Sequence, residues 1–252
     1  MAEQGKGMSD LWRRLRFVFV AILVYRLGTH IPIPGIDPDR LSSLFEQNQG
    51  TLLDMFNLFS GGALERMSIF ALNVVPYISS AIIMQLFSNS IPYLQELKKD
   101  GQAGRNQITQ YTRYGTVVLA FIQASALAVT LSGSGLAYTP GAAFFASAVF
   151  SVVAGTVFLM WLGEQISERG IGNGISLIIA TSILTGIPGA IGQALEQSRQ
   201  GDLNILLLLA IALLAMAVIA VVVFIERGQR RITVNYAQRQ QGRKLMQAQS
   251  SH

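Results

Sequence analysis

Between Ile205 and Ile225 the sequence carries no polar side chain. A run of about 20 apolar residues is the length needed to cross the hydrocarbon core of a bilayer as a helix. At roughly −0.4 kcal/mol per residue, insertion of this run is favoured by roughly 8 kcal/mol. In lipid every backbone polar group must be satisfied within the protein, which leaves helices or closed barrels. The composition agrees with a membrane chain: 13% of the 252 residues are charged and 51% are hydrophobic, where a soluble domain carries about 25% charged residues. A disordered chain is excluded and a water-soluble globule is disfavoured. There is no Cys, so disulfides, thiolate nucleophiles and Cys-ligated metals are excluded, and the two His residues, His30 and His252, leave almost no material for a metal site or a triad.

Five further apolar spans precede this run: about Phe17 to Ile33, Ser68 to Asn89, Tyr114 to Leu131, Ala142 to Gly163 and Ile175 to Leu195. The last of these is interrupted by Thr181, Ser182, Thr185, Gly186, Pro188 and Gly189. The first has basic flanks but ends on His30-Ile31-Pro32-Ile33-Pro34-Gly35 with no small-residue cleavage site, so it is not read as a signal peptide. With six spans, fifteen of the nineteen Lys and Arg fall on the side shared by both termini, three on the other, and Arg26 lies inside span one. The positive-inside rule then places both termini in the cytoplasm. The net charge of +5 is therefore first a topology signal.

The connection from about Gly35 to Met67 is too long for a turn. It contains Leu52, Leu53, Met55, Phe56, Leu58 and Phe59, followed by Ser60-Gly61-Gly62. Such a stretch is too short to span and reads either as a re-entrant segment lining a cavity or as an amphipathic surface helix. Arg26 is the one charge well within a span, and it either snorkels or hydrogen-bonds to loop carbonyls as a structural brace. No carboxylate lies near a midplane, which argues against proton or sodium coupling. Ala120, Ala124 and Ala128, and Ser147, Ser151 and Gly155, form small-residue rows suited to close helix packing.

Gly170-Ile171-Gly172-Asn173-Gly174 resembles part of a nucleotide-binding glycine loop, but an apolar helix rather than a strand precedes it, and it reads as a tight interhelical turn. In span two, Val74 and Ile78 share a helical face with Pro76 between them, which suits either a gate kinked at the proline or a kinked packing helix. The tail from Glu226 to Lys244 sets six basic residues against one acid. Lipid headgroups and RNA phosphates are both open as its counterpart.

Several stretches together resemble one family: Ile31-Pro32-Ile33-Pro34-Gly35, Phe56-Asn57-Leu58-Phe59-Ser60-Gly61-Gly62-Ala63-Leu64, Val75-Pro76-Tyr77-Ile78-Ser79, Gln110-Tyr111-Thr112-Arg113-Tyr114-Gly115, Trp161-Leu162-Gly163-Glu164-Gln165-Ile166, Glu168-Arg169-Gly170-Ile171-Gly172-Asn173-Gly174-Ile175-Ser176 and Glu226-Arg227-Gly228-Gln229-Arg230-Arg231-Ile232. The chain is similar, from about Leu15 onward, to the bacterial SecY family, the channel subunits of the Sec protein translocase.

The resemblance implies an all-α membrane protein with six transmembrane helices, both termini cytoplasmic, and a re-entrant plug helix between spans one and two. Residues 1–16 become a cytoplasmic N-terminus, 17–195 the first five-helix half of a channel with its plug at about 51–66, 204–225 the sixth helix, and 226–252 a basic cytoplasmic loop, truncated. Family members have ten spans, so the C-terminal half of the channel is an implied partner. Also implied are a pore ring of Val74, Ile78 and Ile179; a plug including Leu52, Leu53, Phe56, Phe59, Ser60 and Gly61; lateral-gate residues Ser79, Ser80, Gln85 and Gln123; and ribosome or SecA docking through Arg230, Arg231, Arg239, Arg243 and Lys244. The implied function is a non-enzymatic protein-conducting channel without cofactors in the bacterial cytoplasmic membrane, partnered by SecE, SecG, SecA, the ribosome, signal peptides, nascent chains and membrane lipids. Two other readings are half of a secondary transporter and a fragment with no transport of its own.

Overall fold

The computed structural model describes residues 2–37, 40–41, 43, 57, 60–200 and 205–228, with the paired backbone of four two-residue strands between 234 and 251. The fold is almost entirely helical and divides into two compact units, Met1–Ala190 and Ile191–His252.

In the first unit, α1 runs from Ala2 to Gly28. Its exposed start carries Asp10, which is ion-paired to Arg13 and Arg14 at 2.6 and 3.0 Å. The hydrogen bond from Arg14, assisted by Arg13, holds the Asp10 carboxyl below its ordinary value. The helix stops at Gly28, short of the Ile33 expected from hydropathy. Ile31 precedes Pro32 and Ile33 precedes Pro34, and a residue before proline is pushed out of the α region. The hydroxyl of Thr29 closes the end by donating to the Arg26 carbonyl at 2.7 Å.

Beyond this point the chain runs extended and is tied on by backbone bonds. Ile33 N–H donates to Met67 O at 2.8 Å and Ile69 N–H to Ile31 O at 3.0 Å; further along, Asp37 N–H donates to Leu136 O at 2.9 Å and Tyr138 N–H to Gly35 O at 3.0 Å.

Helix α2 covers Val75–Ser90. Expectation and structure differ here. Residues 68–74 form turns rather than helix, because Met67 and Asn73 hold positive φ values of 41° and 50°. Pro76 lies in the first turn of α2, where a missing N–H costs nothing. It starts the helix and does not kink it.

Helices α3 (Pro92–Lys99), α4 (Gly101–Gly133), α5 (Ala142–Arg169) and α6 (Gly174–Gln200) follow. On α4 the residues Thr112, Thr116, Ala120, Ala124 and Ala128 are buried at a spacing of four, a stripe of small side chains that lets α5 approach. On α5 the buried face is Phe144, Ala148, Val152, Gly155, Leu159 and Ile166; Ser147 and Ser151 are only half-buried. The core of this unit has two apolar clusters. One surrounds Ile33, Leu131, Phe144 and Val149. The other surrounds Tyr25, Phe70, Val74, Leu159 and Ile178.

The turn between α5 and α6 is the Gly170–Gly174 segment. Asn173 caps α6, its side-chain oxygen accepting from Ile175 and Ser176 N–H at 3.1 and 3.3 Å. This is a helix-capping turn, as expected, with a helix before it.

In the second unit, α7 spans Ile205–Glu226 and is exposed along its apolar length. A helix apolar on every side belongs in lipid or a large core. Two antiparallel ribbons follow, nested in sequence: β1 (Val234–Asn235) pairs with β4 (Ser250–Ser251), and β2 (Gln240–Gln241) pairs with β3 (Lys244–Leu245).

Among the described residues four helices are long and apolar enough to cross a membrane: α4, α5, α6 through Glu196, and α7 from Leu206. Helix α2, at 16 residues, is about 24 Å long, less than the roughly 30 Å hydrocarbon thickness.

Candidate functional site

Val74, Ile78 and Ile179 come from two places far apart in sequence and join one apolar cluster. Val74 is the residue before α2 and is 1% exposed. Ile78 is one turn further, its N–H donating to Val74 O at 3.0 Å, and Ile179 lies on α6. Ile78 and Ile179 are half-buried and border a hollow of about 660 Å³. Its other walls are mixed: Ala81, Ile82 and Ile175 alternate with polar groups such as Gln85, Arg113 and Glu164. Arg113 on α4 and Glu164 on α5 form an ion pair at 2.7 Å.

Beside this apolar patch lies a buried polar knot. Asn73 immediately precedes Val74 and is 4% exposed, and Ser182 on α6 is fully buried. The Asn73 amide donates to Ser182 Oγ at 3.2 Å, while its carbonyl oxygen accepts from Val74 N–H at 2.9 Å. Ser182 in turn donates to Ile178 O at 2.9 Å. The Tyr25 hydroxyl, on α1, meets the same Ser182 oxygen at 2.5 Å and lies 3.4 Å from Ser60 O. The next residue, Arg26, donates to Gly61 O at 3.0 Å, which is the brace to a loop carbonyl that the sequence suggests.

Ser60 and Gly61 are therefore pinned from α1. Gly61 also presses on α6: a Cβ there would lie 3.1 Å from both Ser182 Cα and its carbonyl oxygen, and φ is +67°. The short loop is further closed on itself. Asn57 donates to Glu65 Oε2 and accepts from Glu65 N–H, both at 3.0 Å, and Ser60 Oγ donates to Asn57 O at 2.9 Å.

The remaining residues marked by sequence divide as follows. Ser80 is buried and donates to Thr112 O at 2.8 Å, which fastens α2 to α4. Ser79 and Gln123 are half-buried and Gln85 is exposed. Leu52, Leu53, Phe56 and Phe59, with Arg230, Arg231, Arg239 and Arg243, lie outside the described residues. Lys244 begins β3, where it pairs with Gln241 of β2.

Sequence reasoning passes over Tyr25, Asn73 and Phe70. Phe70 is stacked between Tyr25 and Phe158, with ring centroids 6.0 and 5.9 Å away. Ser182 is noted only as an interruption of its span. A lone polar residue in an apolar run signals nothing until its partner is known, and the partners here come from other elements.

Comparison with known proteins follows the same lines. The sequence profile of the SecY family matches residues 68–252. The chain is 60% identical over its full length to the protein translocase subunit SecY of Pseudomonas aeruginosa, of which it spans 59%. It is 57% identical over 98% of its length to the Escherichia coli K12 subunit, of which it spans 56%. Among solved structures, one described as a protein-conducting channel superposes with a TM-score of 0.59 at 18% identity, covering 96% of this chain and 52% of the other. A SecY structure described by its plug domain stabilising the closed channel and maintaining a membrane seal superposes with a TM-score of 0.56 at 19% identity, over 94% of this chain and 52% of the other. The match to the family profile takes in Val74, Ile78, Ile179 and most of the helical bundle, relatives are similar along nearly the whole chain, and the fold agrees independently: the chain belongs to the SecY family.

Proposed function

We propose that the chain forms the N-terminal half, with the sixth span, of a protein-conducting channel that moves unfolded secretory proteins across the bacterial cytoplasmic membrane and releases membrane segments sideways into lipid. It spans this membrane six times with both termini in the cytoplasm and is completed by the C-terminal half of the channel. The observation that carries this reading is the convergence of Val74, Ile78 and Ile179 in one apolar cluster, with Ile78 and Ile179 bordering a hollow, in a chain of this family. A narrow ring of branched apolar side chains excludes water and ions while yielding to a passing chain. No cofactor or catalytic chemistry is required; energy comes from partners.

The remaining parts take roles consistent with their positions. Residues 51–66 form the plug, whose C-terminal end, Ser60 and Gly61, is held by Tyr25 and Arg26. Helices α2 and α4, joined through Ser80, form one wall of the lateral gate, with Ser79, Gln85 and Gln123 along it. The basic tail after α7, with Arg230, Arg231, Arg239, Arg243 and Lys244, docks the ribosome or SecA; SecE and SecG complete the assembly.

The test is an intact channel containing this sequence, reconstituted in vesicles. Ile78→Asn should admit water to the ring and raise resting ion leak several-fold while translocation continues; an unchanged leak counts against the constriction. For the tail, Arg243→Glu with Lys244→Glu should weaken ribosome binding and flatten its salt dependence, since each lost phosphate contact removes about one counterion from the slope. Normal affinity with the parent slope would leave lipid headgroups as the counterpart of these charges.

A further inference from the structure

The polar knot and the constriction are built from the same two pieces of chain. Asn73 is bonded through its own side chain to Val74 N–H, so the two residues move together. Ser182 is three residues beyond Ile179 on α6 and therefore lies one turn along a neighbouring face of the same rigid helix. Any widening of the ring that moves Ile179 away from Val74 also moves Ser182 away from Asn73.

The hydrogen bonds show how tight this coupling is. The hydroxyl of Ser182 bonds to Ile178 O within α6. Its oxygen accepts from the Asn73 amide and is paired with the Tyr25 hydroxyl, either oxygen being able to donate. Ser182 is thus the common partner of one group on the segment before α2 and one on α1. Tyr25 is 1% exposed, Asn73 4%, and Ser182 0%, so water does not compete in the closed state. Hydrogen bonds weaken steeply with distance and angle, whereas apolar contacts fade gradually. A small displacement of α6 therefore breaks the knot sharply. The same displacement withdraws the surface on which Gly61 rests.

We propose that Tyr25, Asn73 and Ser182 form a latch that couples the ring to the plug: a chain widening the ring shifts α6, Ser182 leaves Asn73 and Tyr25, and the Ser60–Gly61 end of the plug loses its seat. These are positioning residues for gating. The proposal rests on the channel reading above and adds the trigger by which the seal is released.

Two substitutions isolate it. Ser182→Ala removes the shared hydroxyl, so Asn73 loses that bond and Tyr25 keeps its longer contact to Ser60 O at 3.4 Å. Tyr25→Phe keeps the ring stacked on Phe70. In vesicles holding the intact channel, Ser182→Ala should raise resting ion leak about tenfold, the equivalent of one buried donor losing its partner. Tyr25→Phe should raise it less, because Asn73 still reaches Ser182. The double variant Tyr25→Phe/Ser182→Ala should leak little more than Ser182→Ala alone, because the Tyr25–Ser182 bond is already lost in the single variant. Failure of the parent channel to translocate a preprotein would overturn the channel reading itself. Normal translocation with equal leak in parent, Ser182→Ala and Tyr25→Phe would overturn the latch alone. A double variant whose leak reaches the product of the two single effects would also overturn it, since independent loosening of the bundle multiplies, whereas one shared bond is lost only once.

Discussion

An intact channel carrying Gly61→Cys and Thr185→Cys should stop translocating almost completely when oxidised and recover when reduced. A Cβ at Gly61 would lie 3.3 Å from Thr185 Oγ1, and a cysteine sulfur at position 185 can occupy a position close to that oxygen. In a disulfide each Cβ lies roughly 3 Å from the far sulfur, as follows from an S–S bond of about 2.05 Å, so this pair is within reach of one. The bond would fasten the turn at Ser60–Gly61 to α6 covalently, where the native chain relies on contact. The sequence contains no Cys, so this half of the channel contributes no competing thiol. Position 61 has φ +67°, and a non-glycine residue there costs about 1–2 kcal/mol; the reduced double variant is accordingly expected to leak slightly. Gel mobility measures the extent of crosslinking and preprotein protection from protease measures transport. Complete crosslinking with transport at the reduced rate would mean that residue 61 need not leave α6 when the channel opens.

The parts of this structure that hydropathy makes legible are those whose fold is dictated locally. Helix α7 needs nothing but its own apolar run, and its bounds match the span read from sequence to within a residue. The bracing role of Arg26 was also legible, because a charge in an apolar span must find a partner, and loop carbonyls are the natural acceptors. Span two fails for a reason that periodicity cannot detect. Residues 68–74 are apolar enough to continue a helix, but Ser68 must pair with Pro32, and Met67 and Asn73 must adopt positive φ for the chain to run past α1 and α5 first. Pro76 was visible; that it would start the helix depended on those tertiary bonds.

The candidate site was legible as a set of apolar positions through family resemblance, and hidden as a polar arrangement. Ser182 lies 109 residues from Asn73 and 157 from Tyr25. Each on its own looks like a tolerated interruption in an apolar run. Only the packed bundle shows that they share one oxygen. The row Ser147, Ser151 and Gly155 shows the same limit from the other side: small residues at helical spacing mark a close approach, but not which of them receives it.

It is Gly155 that receives it, and Gly155→Leu should prevent the protein from accumulating in the membrane. A Cβ at this position would lie 2.0 Å from Ile69 O and 2.8 Å from its carbonyl carbon, both backbone atoms that cannot rotate away. A further contact at 3.1 Å falls on the Phe70 ring. To accommodate leucine, the 69–70 segment must leave α5, breaking the bond from Ile69 N–H to Ile31 O and the stack of Phe70 on Tyr25 and Phe158. Overpacking typically costs 1–3 kcal/mol, and added loss of a buried backbone hydrogen bond and an aromatic stack brings the total to about 4 kcal/mol or more, the range reserved for disruption of a packed core. The neighbouring Ala154 is exposed, so Ala154→Leu controls for bulk on the same helix and should accumulate normally. Thermal unfolding in detergent of whatever Gly155→Leu protein is recovered measures the effect directly, and a midpoint within a few degrees of the parent would show that the chain at Ile69 has room to move. That room would bear on gating as well, because the segment pressed against Gly155 continues within a few residues into Asn73 and Val74, and a seal built on those residues requires that it be held firmly.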